Sequence, residues 1–143
     1  MVESLTYQID NISYHVPTDR LYAVSGTWVQ SKGCRLRIGL TEEAAAKLAN
    51  ITALTLPKVG SNAYVGNKLV QITTSDGQVE VENPLMGRIR AANTALLNDP
   101  SLIKTDPYGE GWFYEADPFN WEEDKSALLS PMDYNYLRTE DDQ

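Results

Sequence analysis

Leu69-Val70-Gln71-Ile72-Thr73-Thr74-Ser75 and Gln78-Val79-Glu80-Val81-Glu82 flank Asp76-Gly77, and this stretch decides the fold class. Both runs are rich in β-branched residues and alternate with period two, the pattern of half-buried strands. Asp-Gly between alternating strands is a strong hairpin signal, because a type I′ turn needs positive φ at both central residues. With Asp76-Gly77 as the two-residue loop, Ile72 is expected opposite Val81 and Thr74 opposite Val79, with the apolar residues on one face. Glu80 and Glu82 then share the opposite face, which reads as a solvated strand face. Asn83-Pro84 closes the hairpin.

Working outward, the same kind of segment recurs. Leu21 to Trp28 and Cys34 to Ile38 suggest a hairpin around Ser31-Lys32-Gly33. Ile51-Thr52-Ala53-Leu54-Thr55-Leu56 is a strand broken by Pro57, and Val59-Gly60-Ser61-Asn62 is a loop. Met86 to Ala91 is a further strand, and Trp112-Phe113-Tyr114 a last aromatic one that follows the loop Asp106 to Gly111. Helices are few and short. Thr41 with Glu42 and Glu43 is a helix start, a hydroxyl cap followed by negative charge at the positive helix end, and Asn50 is its stop. Asn98-Asp99-Pro100 starts a helical turn. Ser130-Pro131 begins a C-terminal helix through Leu137, expected to fray into Glu140-Asp141-Asp142. Residues 1–20 read as an N-terminal extension, with one strand at most around Tyr7, Ile9 and Ile12 to Tyr14, ahead of a single domain over residues 21–143. Many short strands with few helices make the chain mainly β, built of hairpins.

Bulk properties narrow the function. A chain of 143 residues suits one domain that buries roughly two-thirds of its unfolded surface. A net charge of −8 disfavours nucleic acid and anionic membranes, which are bound through Lys and Arg clusters. No stretch approaches the roughly 20 apolar residues of a membrane span, and Met1 to Leu5 has no basic start or apolar core of a signal peptide. One cysteine, Cys34, excludes an internal disulfide and points to a reducing cytoplasm. The only histidine, His15, has no cysteine nearby and no evident acid partner, so neither a catalytic triad nor a metal site is expected. Asp76, Glu80 and Glu82 lack the dense oxygen ligands of a Ca²⁺ site. Gly109-x-Gly111 lacks the strand, helix and lysine of a phosphate loop. Phe119, Trp121, Tyr134 and Tyr136 sit among acids and admit two readings, helical packing or an exposed docking surface.

One segment carries a family resemblance. Asn98-Asp99-Pro100-Ser101-Leu102-Ile103, followed by Asp106-Pro107-Tyr108-Gly109-Glu110-Gly111-Trp112, resembles the glycine cleavage system H protein family. Its members carry Asn-Pro-x-Leu-Val-Asn-x-Asp-Pro-Tyr-Gly-Glu-Gly-Trp. Ile38-Gly39-Leu40-Thr41 is similar to the family's Val-Gly-Ile-Thr, and Leu56-Pro57-Lys58-Val59-Gly60 to its Leu-Pro-Glu-Val-Gly. The family's His-Glu-Trp falls on Gly26-Thr27-Trp28, where only the tryptophan survives. The resemblance implies a flattened barrel-sandwich hybrid with a C-terminal helix, a carrier rather than an enzyme, and docking onto a larger protein or enzyme complex.

The resemblance also implies where the carrier chemistry sits. In the family a lysine at one hairpin tip, in a pattern close to Glu-Ser-Val-Lys-Ala, receives lipoate. Here those positions read Thr73-Thr74-Ser75-Asp76-Gly77, so the lysine position is Asp76 and the preceding glutamate is Thr73. A carboxylate cannot form the lipoyl amide. The expectation is a non-lipoylated accessory subunit with hairpin tip Ser75, Asp76 and Gly77 and without cofactor, catalytic residues or metal. The alternative is a working lipoyl carrier modified at an atypical lysine such as Lys68.

Overall fold

The chain's structure is a computed structural model that describes residues 3–141. In order it runs β1 (Ser4–Ile9), β2 (Ile12–Pro17), β3 (Leu21–Tyr22), β4 (Thr27–Lys32), β5 (Arg35–Leu40) and α1 (Glu42–Ala46). Next come β6 (Ile51–Thr55), β7 (Asn62–Ala63), β8 (Lys68–Thr74), β9 (Gly77–Glu82) and β10 (Gly87–Ala92). The last elements are α2 (Ala95–Asn98), α3 (Leu102–Thr105), β11 (Tyr114–Pro118), α4 (Trp121–Lys125) and α5 (Pro131–Asp141). A six-stranded sheet has the order β3-β4-β5-β11-β10-β7 and a three-stranded sheet the order β6-β8-β9, while β1 and β2 pair with each other alone. The inner faces of the two larger sheets share one buried cluster, with Val29, Ile38, Tyr114 and Ile89 from the first and Leu54, Val70, Ile72 and Val81 from the second. This is the mainly β, flattened barrel-sandwich arrangement expected, with both sheets open.

The deciding hairpin forms, on a register that differs from the expected one. Ile72 lies opposite Val79, Val70 opposite Val81, and Thr74 opposite Gly77. The two-residue loop is therefore Ser75-Asp76. Neither has positive φ, whereas Gly77 has φ +122°. The glycine thus acts one position later than a type I′ turn would use it, as the fourth residue of a type I turn. The Thr74 hydroxyl decides this: it accepts from the Asp76 amide at 3.1 Å and donates to the Gly77 carbonyl at 2.8 Å, a local bridge that Ser and Thr make in turns. Because the slip is by two residues, side-chain parity is preserved and the apolar residues still share the inner face.

The type I′ geometry occurs elsewhere. Asp10 and Asn11, with φ +53° and +67°, join Ile9 to Ile12 in the first hairpin. Asp and Asn tolerate this region better than other non-glycine residues. The region read as one strand at most is thus two paired strands, which pack Tyr7, Tyr14 and Val16 with Tyr22, Trp28 and Tyr134 in a second buried cluster. The Leu21–Trp28 run also divides into β3 and β4, and its hairpin to β5 turns at Gly33-Cys34, with φ +63° at Gly33. Cys34 is exposed.

Helix ends follow local chemistry. Thr41 caps α1, its side chain accepting from the Ala44 amide, and the helix closes at Ala46 before the expected stop. Asp99 does not start a helix: it is the C-cap of α2, its amide donating to the Ala95 carbonyl, while α3 begins at Leu102 after Ser101, whose hydroxyl donates to the Asp99 carboxylate at 2.5 Å. Two short helices, α2 and α4, arise where none was expected; the Asn120 side chain caps α4, accepting from the Glu123 amide ahead of an acidic first turn. The Ser130 hydroxyl accepts from the Asp133 amide at the start of α5. This helix continues through Asp141 rather than fraying at Glu140; Asp142 lies outside the described residues, as do Met1 and Val2.

Candidate functional site

The β8–β9 tip is the most exposed part of the three-stranded sheet. Thr74 is buried, while Ser75, Asp76, Gly77 and Gln78 are all exposed. The Ser75 amide donates to the Asn50 carbonyl at 2.9 Å, which fastens the tip to the segment entering β6. The structure therefore brings Ser75, Asp76 and Gly77 together at one hydrogen-bonded, solvated turn. The Asp76 carboxylate has no hydrogen-bond or ion-pair partner among the described residues. Lys68, the only lysine in the hairpin, begins β8 opposite Glu82, at the far end from the tip. No amine stands at the tip itself, so the residues there do not fit covalent attachment of a carboxylic acid such as lipoate.

The loop that carries the sequence motif is a structural clasp. The Pro107 carbonyl accepts from Trp28 Nε1 at 3.0 Å. Tyr108 donates from its hydroxyl to the His15 carbonyl at 2.6 Å and accepts there from the Glu42 amide at 3.1 Å. Asn93 Nδ2 donates to the Glu110 and Trp112 carbonyls at 2.7 and 2.8 Å. A methyl group on Gly109 would meet the Asp106 carboxylate at 2.5 Å, and one on Gly111 the Leu102 carbonyl at 2.6 Å. The two glycines thus permit close approach, and no phosphate loop results. Gly39 serves similarly: a Cβ there would lie 2.5 Å from the ring of Trp28, its partner across β4 and β5.

The strongest electrostatic feature was not legible beforehand. Glu43, buried on α1, accepts from the Tyr7 hydroxyl at 2.5 Å, from Arg138 Nε and Nη2 at 2.8 and 2.6 Å, and from Lys47 Nζ at 2.8 Å. Burial alone would raise its pKa, but the donors from Arg138, Lys47 and Tyr7 outweigh burial and hold it at about 2. Burial and the hydrogen bond to Glu43 push the Tyr7 hydroxyl well above its ordinary value. The Glu43–Lys47 pair has the readable i,i+4 spacing, whereas Arg138 lies 95 residues away and gave no local signal. A carboxylate so saturated is a poor base at neutral pH; it joins β1, α1 and α5.

Other expected residues fall into place individually. His15 does have an acid partner, contrary to expectation: Glu42 Oε1 lies 3.1 Å from Nδ1, with both groups substantially exposed. Among the described residues no group of three or more His, Cys, Asp and Glu could hold a metal ion. Of the aromatics left between two readings, Tyr134 is buried and stacks on Tyr22, whereas Phe119 and Tyr136 are exposed. Phe113 and Tyr114 are fully buried, and Trp112 is half-buried beneath the Arg37 guanidinium. Among the described residues no helix is long and apolar enough to cross a membrane.

Two facing open sheets, one of them extended into an exposed hairpin, and a few short helices define a small β domain of the barrel-sandwich class. The family model for the glycine cleavage H-protein matches residues 20–141, and the chain belongs to that family. It is 35% identical to the glycine cleavage system H protein of Psychrobacter sp. (strain PRwf-1), over 84% of this chain and 95% of that one. It is also 35% identical to a probable glycine cleavage system H protein 1 of Saccharolobus solfataricus, over 85% and 89%. The crystal structure of a glycine cleavage system H protein from Mycobacterium marinum superposes with a TM-score of 0.75 at 28% identity, covering 86% of this chain and 98% of that one. The family is one of carrier subunits rather than catalysts.

Proposed function

We propose that this chain is a non-lipoylated H-protein-like adaptor, an accessory subunit that docks onto a redox or one-carbon enzyme complex in the cytoplasm. The observation that carries the reading is a retained scaffold with a changed tip. The clasp loop, Gly39 against Trp28 and the two-sheet core are kept, while the exposed turn where the family's lysine falls reads Ser75-Asp76-Gly77. Asp76 takes the lysine position and no lipoate is attached. The partner is a larger protein, by analogy with the glycine cleavage system named for the relatives. Residues 1–20 serve as an extension and 21–143 as the domain, a division supported by the family match beginning at residue 20. Free, exposed Cys34 supports a reducing compartment.

The second reading is a lipoyl carrier modified at Lys68. Against it stands the position of that lysine at the base of the hairpin, where an arm would emerge a strand's length from the tip. Seven residues of strand separate the two ends of β8, roughly 20 Å at the usual rise. Intact mass of the protein purified from its own source separates the two. An unmodified mass with a larger enzyme co-purifying is the expected result. A mass increased by one lipoyl group refutes the adaptor reading and restores the carrier.

A further inference from the structure

Strand β9 pairs only with β8 and is the free edge of its three-stranded sheet. Natural edges of this kind are usually short, bulged or covered, because every second residue offers unpaired backbone N–H and C=O groups. Here Gln78, Val79 and Glu80 are exposed in succession. Alongside the edge runs a groove of about 170 Å³, walled by Val79 and Val81 on one side and by Ser25, Ala44 and Leu48 on the other. That volume is below the roughly 300 Å³ where small-molecule pockets begin, and it suits a single inserted side chain.

Two further observations bear on what fits. Thr27 also lines the groove; it is 1% exposed, and its hydroxyl has no hydrogen-bond partner among the described residues. A hydroxyl in that state has given up water without gaining a protein partner, so the groove offers an incoming strand one unused hydrogen-bonding group beside its apolar walls. The charges along the edge are all of one sign: Asp76, Glu80 and Glu82 are exposed and none forms an ion pair among the described residues. A second copy of this chain laid antiparallel along β9 would set Glu80 and Glu82 against their own kind, which is unfavourable for directly opposed like charges. A basic strand would meet the same carboxylates favourably.

We propose that the free edge of β9 binds an extended segment of a partner protein, alternating apolar and basic residues, which joins the sheet as a fourth strand. Backbone hydrogen bonds supply the pairing, one apolar side chain enters the groove between Val81 and Leu48, and the basic residues face Glu80 and Glu82. The inference deepens the docking function proposed above and rests on it for the existence of a partner.

The test uses the full ¹⁵N-labelled chain and three blocked peptides: alternating valine and lysine, alternating valine and glutamate, and the valine–lysine peptide with a central proline. Saturable amide shifts at residues 78–82 and at Thr27 are expected with the first peptide. Binding of the glutamate and proline peptides is expected to be at least about tenfold weaker. Glu80→Lys with Glu82→Lys, shown folded by an otherwise unchanged spectrum, is expected to lose about tenfold for the lysine peptide and gain for the glutamate one. Equal binding of the proline peptide, shifts mapping elsewhere, no saturable shift, or self-association through β9 would each overturn the proposal. Intact mass of the same protein from its own source reports separately on the absent lipoyl arm, so either idea can fail alone.

Discussion

Replacing Glu43 by glutamine isolates the charge at the junction of β1, α1 and α5 while keeping the side chain's shape. The carboxyl is held at about 2 against an ordinary value near 4.5. A depressed carboxylate contributes stability that is fully present above the unfolded-state pKa and is lost as pH falls through the folded one. At roughly 1.4 kcal/mol per pH unit, the difference amounts to about 3 kcal/mol at pH 7. The side chain of Glu43 is only 4% exposed, so solvent screening reduces this little. By pH 3 the unfolded carboxyl is protonated and about 1.4 kcal/mol of the contribution remains. The variant also leaves Arg138 facing an amide in place of a carboxylate, an unfavourable pairing for a partly buried cation. Urea unfolding of both proteins at pH 7 and pH 3 measures the effect. The expected result is a loss of about 3 kcal/mol at pH 7 that narrows by about 2 kcal/mol at pH 3. A loss below about 1 kcal/mol at pH 7, or one independent of pH, would refute the electrostatic account of the junction.

Three other outcomes follow from the same structure. Asp76→Lys combined with Thr73→Glu is expected to become lipoylated when co-expressed with a lipoate ligase while the parent chain does not, as read by intact mass; modification of the parent at Lys68 would contradict the reading of the tip. Gly39→Ala forces a methyl group against Trp28 and is expected to destabilise by about 1–3 kcal/mol, measured by thermal melting; an unchanged Tm would mean that the ring can yield. Tyr108→Phe removes the hydroxyl that bridges the His15 carbonyl and the Glu42 amide, with an expected cost of about 1–2 kcal/mol and faster amide exchange at Glu42; unchanged exchange there would contradict the bridge.

Much of the architecture was legible because its signals are local. The β8–β9 alternation, the Thr41 cap and the Ser130-Pro131 helix start each depend on residues within a few positions of one another. The 106–112 string marked the family, although its physical role as a clasp was hidden, since its partners Trp28, His15, Glu42 and Asn93 come from distant parts of the chain. The N-terminal hairpin was missed for a local reason: Asp10-Asn11 is weaker turn chemistry than Asn-Gly or Asp-Gly, and only the paired strand revealed it.

The amino-acid sequence by itself determined that the chain is mainly β, that a two-residue turn stands where β8 meets β9, and that this turn carries a carboxylate and no amine. Those properties follow from residue type and spacing of two, which no packing can change. The Thr74 hydroxyl bridge, a local contact that competes with the Asp-Gly preference, decides which two residues form the loop; tertiary structure alone set the Ser75 amide on the Asn50 carbonyl that holds the tip. It alone also joined Glu43 to Arg138 and left Thr27 unpartnered beside a free strand edge. Ion pairs and edges are relations between distant segments, and their energies depend on burial and distance that exist only once the chain has closed on itself.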